Sequence, residues 1–164
     1  GDCRVEVPAD GADITVELGI PERIADAKVT IGAMSWPAFG YAIGNPHLVV
    51  LDTHALDDLD LTAAPVVDPP VPGGVNIEFL QRVDAHHVRM RVYERGVGET
   101  RSCGSGACMA AVAAMDAVCR RSTYTVDVPG GRLVVTWRDD DVVTLTGPAI
   151  LVASGESDPS TWTT

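Results

Sequence analysis

Gly104-Ser105-Gly106-Ala107-Cys108-Met109-Ala110-Ala111-Val112-Ala113-Ala114-Met115-Asp116-Ala117-Val118-Cys119-Arg120-Arg121 decides how the rest of this chain must fold. The stretch predicts one helix from Gly104 to Arg121. Between Ala107 and Cys119 only Asp116 is charged, so the helix is apolar on nearly every side. A helix of that kind must be surrounded, and the remaining sequence offers strands. The expected fold is α+β, a curved, largely antiparallel sheet wrapped around one central apolar helix. A two-layer sandwich would leave a polar stripe on the helix, and none is present. Cys108 and Cys119 are expected to pack, and Arg120 and Arg121 to complement the helix dipole at its C-terminal end.

Strands extend on both sides of that helix. Ile14 to Leu18 alternates apolar and polar residues, and Gly19 and Pro21 stop it. His87 to Tyr93 alternates too, with Val88, Met90 and Val92 on one face. Arg132 to Trp137 and Val142 to Thr146 read as a hairpin through Arg138-Asp139-Asp140-Asp141. His47 to Leu51 is a continuous apolar run, as in a strand buried on both faces. Ala64 to Gly74 carries four prolines and two glycines and reads as a loop. A short helix is expected around Leu56 to Leu59.

Cys103 stands immediately before the helix, among Ser102, Gly104, Ser105 and Gly106, which fill no core. A thiol there faces unpaired backbone N–H groups and the positive end of the dipole, which favours the thiolate. The small residues let a ligand approach closely, and an anion is the natural guest. Two other glycine-rich readings fail. A phosphate-binding P-loop needs a lysine that is absent, and a dinucleotide fingerprint needs Gly or Ala where Met109 stands.

The chain has 164 residues, enough for one domain or for half of a larger protein. Its formal charge of −11 opposes nucleic-acid and anionic-membrane binding. No segment has the apolar length of a membrane span, and no signal-peptide pattern opens the chain. The four cysteines have neither disulfide-scaffold nor zinc-site spacing, so reduced thiols in a cytoplasm are the simplest account.

The other polar candidates lie at strand ends and loops. Asn45 precedes Pro46 and His47, where turn chemistry is the plain alternative. Asn76 opens a strand after Gly73-Gly74-Val75, and Glu94 and Arg95 end one. His54, His86 and His87 read as surface residues. Together, Asn45, His47, Asn76, Glu94 and Arg95 could converge on the helix start that carries Cys103. Such a group could hold a zwitterionic amino acid, with guanidinium on carboxylate and with amide and carboxylate oxygens on ammonium.

At these residues the chain resembles the C-terminal half of the diaminopimelate epimerase family. The matching pieces are Gly44-Asn45-Pro46-His47, Gly74-Val75-Asn76-Ile77-Glu78-Phe79, Glu94-Arg95-Gly96-Val97-Gly98-Glu99-Thr100 and Cys103-Gly104-Ser105-Gly106-Ala107. Val128-Pro129-Gly130-Gly131 and Gly147-Pro148-Ala149 also fit. The resemblance implies an enzyme that interconverts LL- and meso-2,6-diaminopimelate without metal, pyridoxal phosphate or other cofactor. It implies that Cys103 is one of two acid–base cysteines and that the Gly104 and Ser105 amides bind the reacting carboxylate. It further implies that Asn45, Asn76, Glu94 and Arg95 hold the substrate, that Glu94 tunes Cys103, and that His47 tunes the opposing thiol. A cysteine hydrolase using Cys103, His47 and Glu94 is the rival chemistry, and a non-catalytic amino-acid-binding or partner domain is the alternative role.

Two departures stand out. Ser105 occupies a position where threonine is usual, and nothing here matches the family's N-terminal half with its other cysteine. Cys3 and Cys108 are not placed to act on the opposite face of a substrate. The expected division is therefore residues 1–146 as a C-terminal-type epimerase domain. Residues 147–164 would then be a closing strand, near Ala149 to Ala153, and tail that join the missing N-terminal domain or chain. A homodimer is left open.

Overall fold

The computed structural model describes residues 3–156. The strands are β1 (Val5–Glu6), β2 (Ile14–Gly19), β3 (Glu22–Arg23), β4 (Ala27–Ile31), β5 (Met34–Ala42), β6 (Pro46–Val50), β7 (Val66–Asp68), β8 (Asn76–Asp84), β9 (His87–Glu94) and β10 (Gly98–Thr100). Helix α1 (Gly104–Asp116) precedes β11 (Thr123–Val128), β12 (Gly131–Trp137) and β13 (Val143–Gly147). The strands join one open sheet in the order β1-β2-β13-β12-β11-β9-β8-β6-β5-β4-β7, with β10 beside β9 and β3 beside β5. The β6–β8 and β9–β11 pairings are parallel and the others antiparallel. The fold is α+β, as the sequence predicts.

Helix α1 packs against β5, β6, β8, β9, β11, β12 and β13. Every residue from Gly106 to Met115 is buried, so the missing polar stripe corresponds to a helix without a solvent face. Val49, Leu80, Val88, Met90, Tyr124, Val126 and Val135 line the sheet around it. A second core lies on the opposite face of the same sheet, where Leu48, Val50, Ile77 and Phe79 meet Leu56, Leu59 and Leu61. Strands β6 and β8 are therefore apolar on both sides, which explains the unbroken His47–Leu51 run.

Strict alternation then sorts the polar residues. On β8, Ile77 and Phe79 belong to the second core and Leu80 to the first, so Asn76 and Glu78 share Leu80's face, toward α1. On β6, His47 shares the parity of Val49; on β9, Glu94 continues the series Val88, Met90, Val92. The parallel register sets His47 beside Asn76.

The structure corrects several expectations. Helix α1 ends at Asp116, not at Arg121. A Schellman turn closes it: Arg120 N–H donates to the Met115 carbonyl at 3.1 Å, and Cys119 N–H to the Asp116 carbonyl at 2.9 Å. Cys119 takes the left-handed position of that turn, at φ 52°, and is exposed rather than packed. Arg120 and Arg121 thus lie beyond the last helical turn; Arg121 stacks on Trp137 at 5.2 Å and pairs with Asp141. Within the proline-rich loop, Val66–Asp68 forms a short strand against β4, since Val67 can reach the second core. Leu56–Asp58 is a single 3-10 turn. His87 is half-buried and paired with Asp127 at 2.8 Å rather than lying free on the surface.

Residues 148–156 carry no regular secondary structure, and Ile150, Leu151 and Val152 are exposed. The expected closing strand thus falls on irregular backbone. The remainder of the expected tail, 157–164, lies outside the described residues.

Candidate active site

Cys103 is the N-cap of α1. Its backbone is extended, at φ −132° and ψ 115°, and its Sγ accepts the Gly106 N–H at 3.4 Å. Ser105 Oγ lies 3.6 Å from the same sulfur, and Asn76 Nδ2 approaches it from β8 at 4.0 Å. Gly104 and Ser105 open the helix, where backbone N–H groups have no intrahelical acceptor. The sulfur is therefore ringed by donors at the positive end of a buried helix.

The sequence argument nevertheless misjudges the thiol's acidity. Burial pushes the Cys103 pKa up from the ordinary thiol value, and the Gly106 and Ser105 donors offset this only in part. The nearby Glu78 and Glu94 carboxylates push in the same direction as burial. Burial thus works against the thiolate that the helix start favours.

A second group adjoins the first. His47 and Glu78 are both wholly buried, with Nδ1 2.7 Å from Glu78 Oε1. The other ring nitrogen, Nε2, lies 3.1 Å from Asn45 Oδ1. Asn76 bridges the two regions, because its Oδ1 accepts the Arg95 backbone N–H at 3.0 Å while its Nδ2 faces Cys103. Glu94 accepts a hydrogen bond from the Thr100 hydroxyl, across the β9–β10 hairpin.

Asn76, Cys103, Ser105 and the start of α1 are thus in contact, and Asn45 and His47 form a chain that reaches them through Glu78. The Arg95 guanidinium does not touch Cys103. Its Nη1 donates to the Gly73 and Gly74 carbonyls, each at 3.3 Å, beside a cavity of about 310 Å³ lined by Pro65, Val71, Val75 and Tyr93. Among the described residues no hydrogen bond joins His47 to Cys103, which removes the base–nucleophile contact that a cysteine hydrolase needs.

Glu78 and Thr100 are the site residues that sequence reasoning did not single out. Glu78 had a visible signal, a lone acid in the apolar run Val75–Leu80. Thr100 had none, because its role depends on a hairpin that only the fold creates.

A helix buried from Gly106 to Met115, a curved sheet around it and a donor-ringed thiol at its start define an α+β domain with a candidate site at the helix N-terminus. Comparison with known proteins narrows the class. The diaminopimelate epimerase family profile matches residues 39–152, and the chain belongs to that family. It is 46% identical to diaminopimelate epimerase of Streptomyces coelicolor, over 94% of this chain and 56% of that protein. The Rhodococcus opacus enzyme of that name is 44% identical over 94% of this chain and 56% of its own length. The Mycobacterium avium one is 42% identical over 94% and 55%. The chain therefore spans little more than half the length of these curated relatives.

Proposed function

We infer that this chain supplies one thiol and much of the substrate pocket of a cofactor-independent diaminopimelate epimerase of lysine biosynthesis. The carrying observation is the Cys103 thiol at the buried start of α1, with Asn76 beside it. The second thiol, and the rest of the pocket, would come from an N-terminal domain or chain outside these 164 residues.

In this reading the substrate α-carboxylate sits on the Gly104 and Ser105 N–H groups, at the positive end of α1. The second cysteine, as thiolate, takes the α-proton from one face of the α-carbon. The electron pair left behind spreads into the carboxylate, where the helix N–H groups stabilise it. Cys103 returns a proton to the opposite face and leaves as thiolate; the reverse reaction exchanges the two roles. A thiol that burial keeps protonated suits the donor half of that cycle. Asn45, Asn76, Glu94 and Arg95 would hold the distal amino-acid end. Glu94 would also tune Cys103; His47, buried with both ring nitrogens engaged by Glu78 and Asn45, would bear on the opposing thiol only through Asn45. All described cysteines are unpaired, which fits a reducing cytoplasm.

The test follows α-proton exchange of diaminopimelate in deuterated water by NMR. It compares the chain alone, the chain with the N-terminal half of a relative, and that mixture carrying Cys103→Ala. Exchange in the complete mixture only, lost in the variant, is the expected result. Cys103-dependent exchange by the chain alone would refute the two-part site. Binding without exchange in the complete mixture would favour an amino-acid-binding domain.

A further inference from the structure

Glu78 has no task in the mechanism above, yet it is placed with care. It is wholly buried on β8, and Oε1 meets His47 Nδ1 at 2.7 Å while Oε2 has no hydrogen-bond partner. A carboxylate oxygen left bare in an apolar interior is costly when the group is charged and uncompensated. The other titratable groups that bear on it electrostatically are Glu94 and Cys103, and neither supplies positive charge. Burial pushes the Glu78 pKa up, and only His47 opposes it strongly. Full burial and the bare Oε2 together favour a pair that is neutral overall, with one proton on the line between Nδ1 and Oε1.

Neutrality fixes the other side of the ring. The pair's second proton has two places left, Oε2 and Nε2; Oε2 has no acceptor within reach and Nε2 has Asn45 Oδ1, so the hydrogen sits on Nε2. That N–H donates to Asn45 Oδ1 at 3.1 Å and so sets the rotation of the Asn45 amide. The Asn45 NH2 is left without a partner among the described residues. Asn76 is turned the same way by a separate donor, the Arg95 backbone N–H. Both amides then offer N–H groups, not carbonyl oxygens, to a bound molecule.

We propose that Glu78 is a positioning residue: it shares a proton with His47, keeps Nε2 as the ring donor, and thereby turns the Asn45 NH2 toward an acceptor group of the ligand. That the acceptor belongs to diaminopimelate rests on the functional reading above; the ring state does not.

Long-range proton–nitrogen correlation spectra of the histidine-labelled chain at pH 7 read this directly. His47→Gln assigns the signal among four histidines. The expected native spectrum shows protonated Nε2 at His47. Glu78→Gln retains it, because an amide N–H can donate to Nδ1, while Glu78→Leu gives a ring with Nδ1–H populated. A native His47 with bare Nε2, or a ring unchanged in Glu78→Leu, overturns the proposal. Should the leucine variant not fold, the native and glutamine spectra still decide. In a complete two-domain enzyme carrying this segment, Glu78→Leu should raise KM about tenfold, with Glu78→Gln restoring most of it. An inactive complete enzyme would count against the epimerase reading and leave the ring spectrum to judge Glu78.

Discussion

A methyl group on Gly106 would stand 2.6 Å from Glu78 Oε1 and 3.2 Å from Cys103 Sγ. One glycine in the first turn of α1 therefore lets a buried carboxyl and a thiol approach the same helix start. Gly106→Ala sets about 1 kcal/mol of helix propensity in alanine's favour against overpacking of about 1–3 kcal/mol. A net loss of up to about 2 kcal/mol is expected, read as a lower urea midpoint at unchanged m-value. An equally stable or more stable variant would show that Glu78 can move aside.

Cys119 holds a left-handed backbone at φ 52° in the turn that ends α1, and its side chain is exposed. Left-handed geometry costs a non-glycine residue about 1–2 kcal/mol, and glycine gives back about 0.4–1 kcal/mol through its freer unfolded chain. Cys119→Gly should thus stabilise the domain by up to about 1.6 kcal/mol, visible as a raised Tm. A lowered Tm would mean that the cysteine side chain makes a contact that matters.

Much of this fold is readable before any coordinates. The residues Ala107 to Met115 announce a surrounded helix, and the alternation in β2 and β9 announces half-buried strands. The end of the helix is not readable, because Ala117, Val118 and Cys119 continue the apolar run although the fold leaves them exposed. At the site, Cys103 and Asn76 follow from local pattern, whereas the His47–Glu78 pair depends on the parallel register of β6 with β8. Register is a long-range property that no window of sequence contains. The same limit applies to the Cys103 pKa: the helix start is visible in sequence, but the burial that outweighs it is not.

Three buried groups, Cys103, Cys108 and Tyr41, bind their protons more tightly in the folded chain, with burial the largest cause for each. Their folded pKa values lie above the unfolded ones, so each contribution is intact below the group's ordinary value, about 8.5 for the thiols and about 10 for the Tyr41 phenol. It is lost as pH rises from there toward the raised folded value. Stability should hold near pH 7 and fall from about pH 8.5 upward. Cys108→Ala should flatten part of that fall in urea midpoints taken from pH 7 to 10. Native-state alkylation at pH 7 should mark exposed Cys3 and Cys119 first, Cys103 more slowly and Cys108 last. Fast labelling of Cys103 would contradict a protonated, buried thiol.

Arg95 engages the Gly73 and Gly74 carbonyls through Nη1 alone, and the proposed function assigns the rest of its planar fork to a ligand carboxylate. In a complete enzyme, Arg95→Lys keeps the charge and loses the fork, so KM for diaminopimelate should rise about tenfold while kcat changes little. A fall in kcat at constant KM would instead tie Arg95 to the chemical step.

With Gly106 to Met115 buried on all sides, Cys103 caps a rod clasped along its length by seven strands. The sulfur sits on no hinge, and loosening that rod would mean dismantling the first core. Whatever closes around a bound molecule must therefore come to a stationary thiol, like a jaw meeting an anvil.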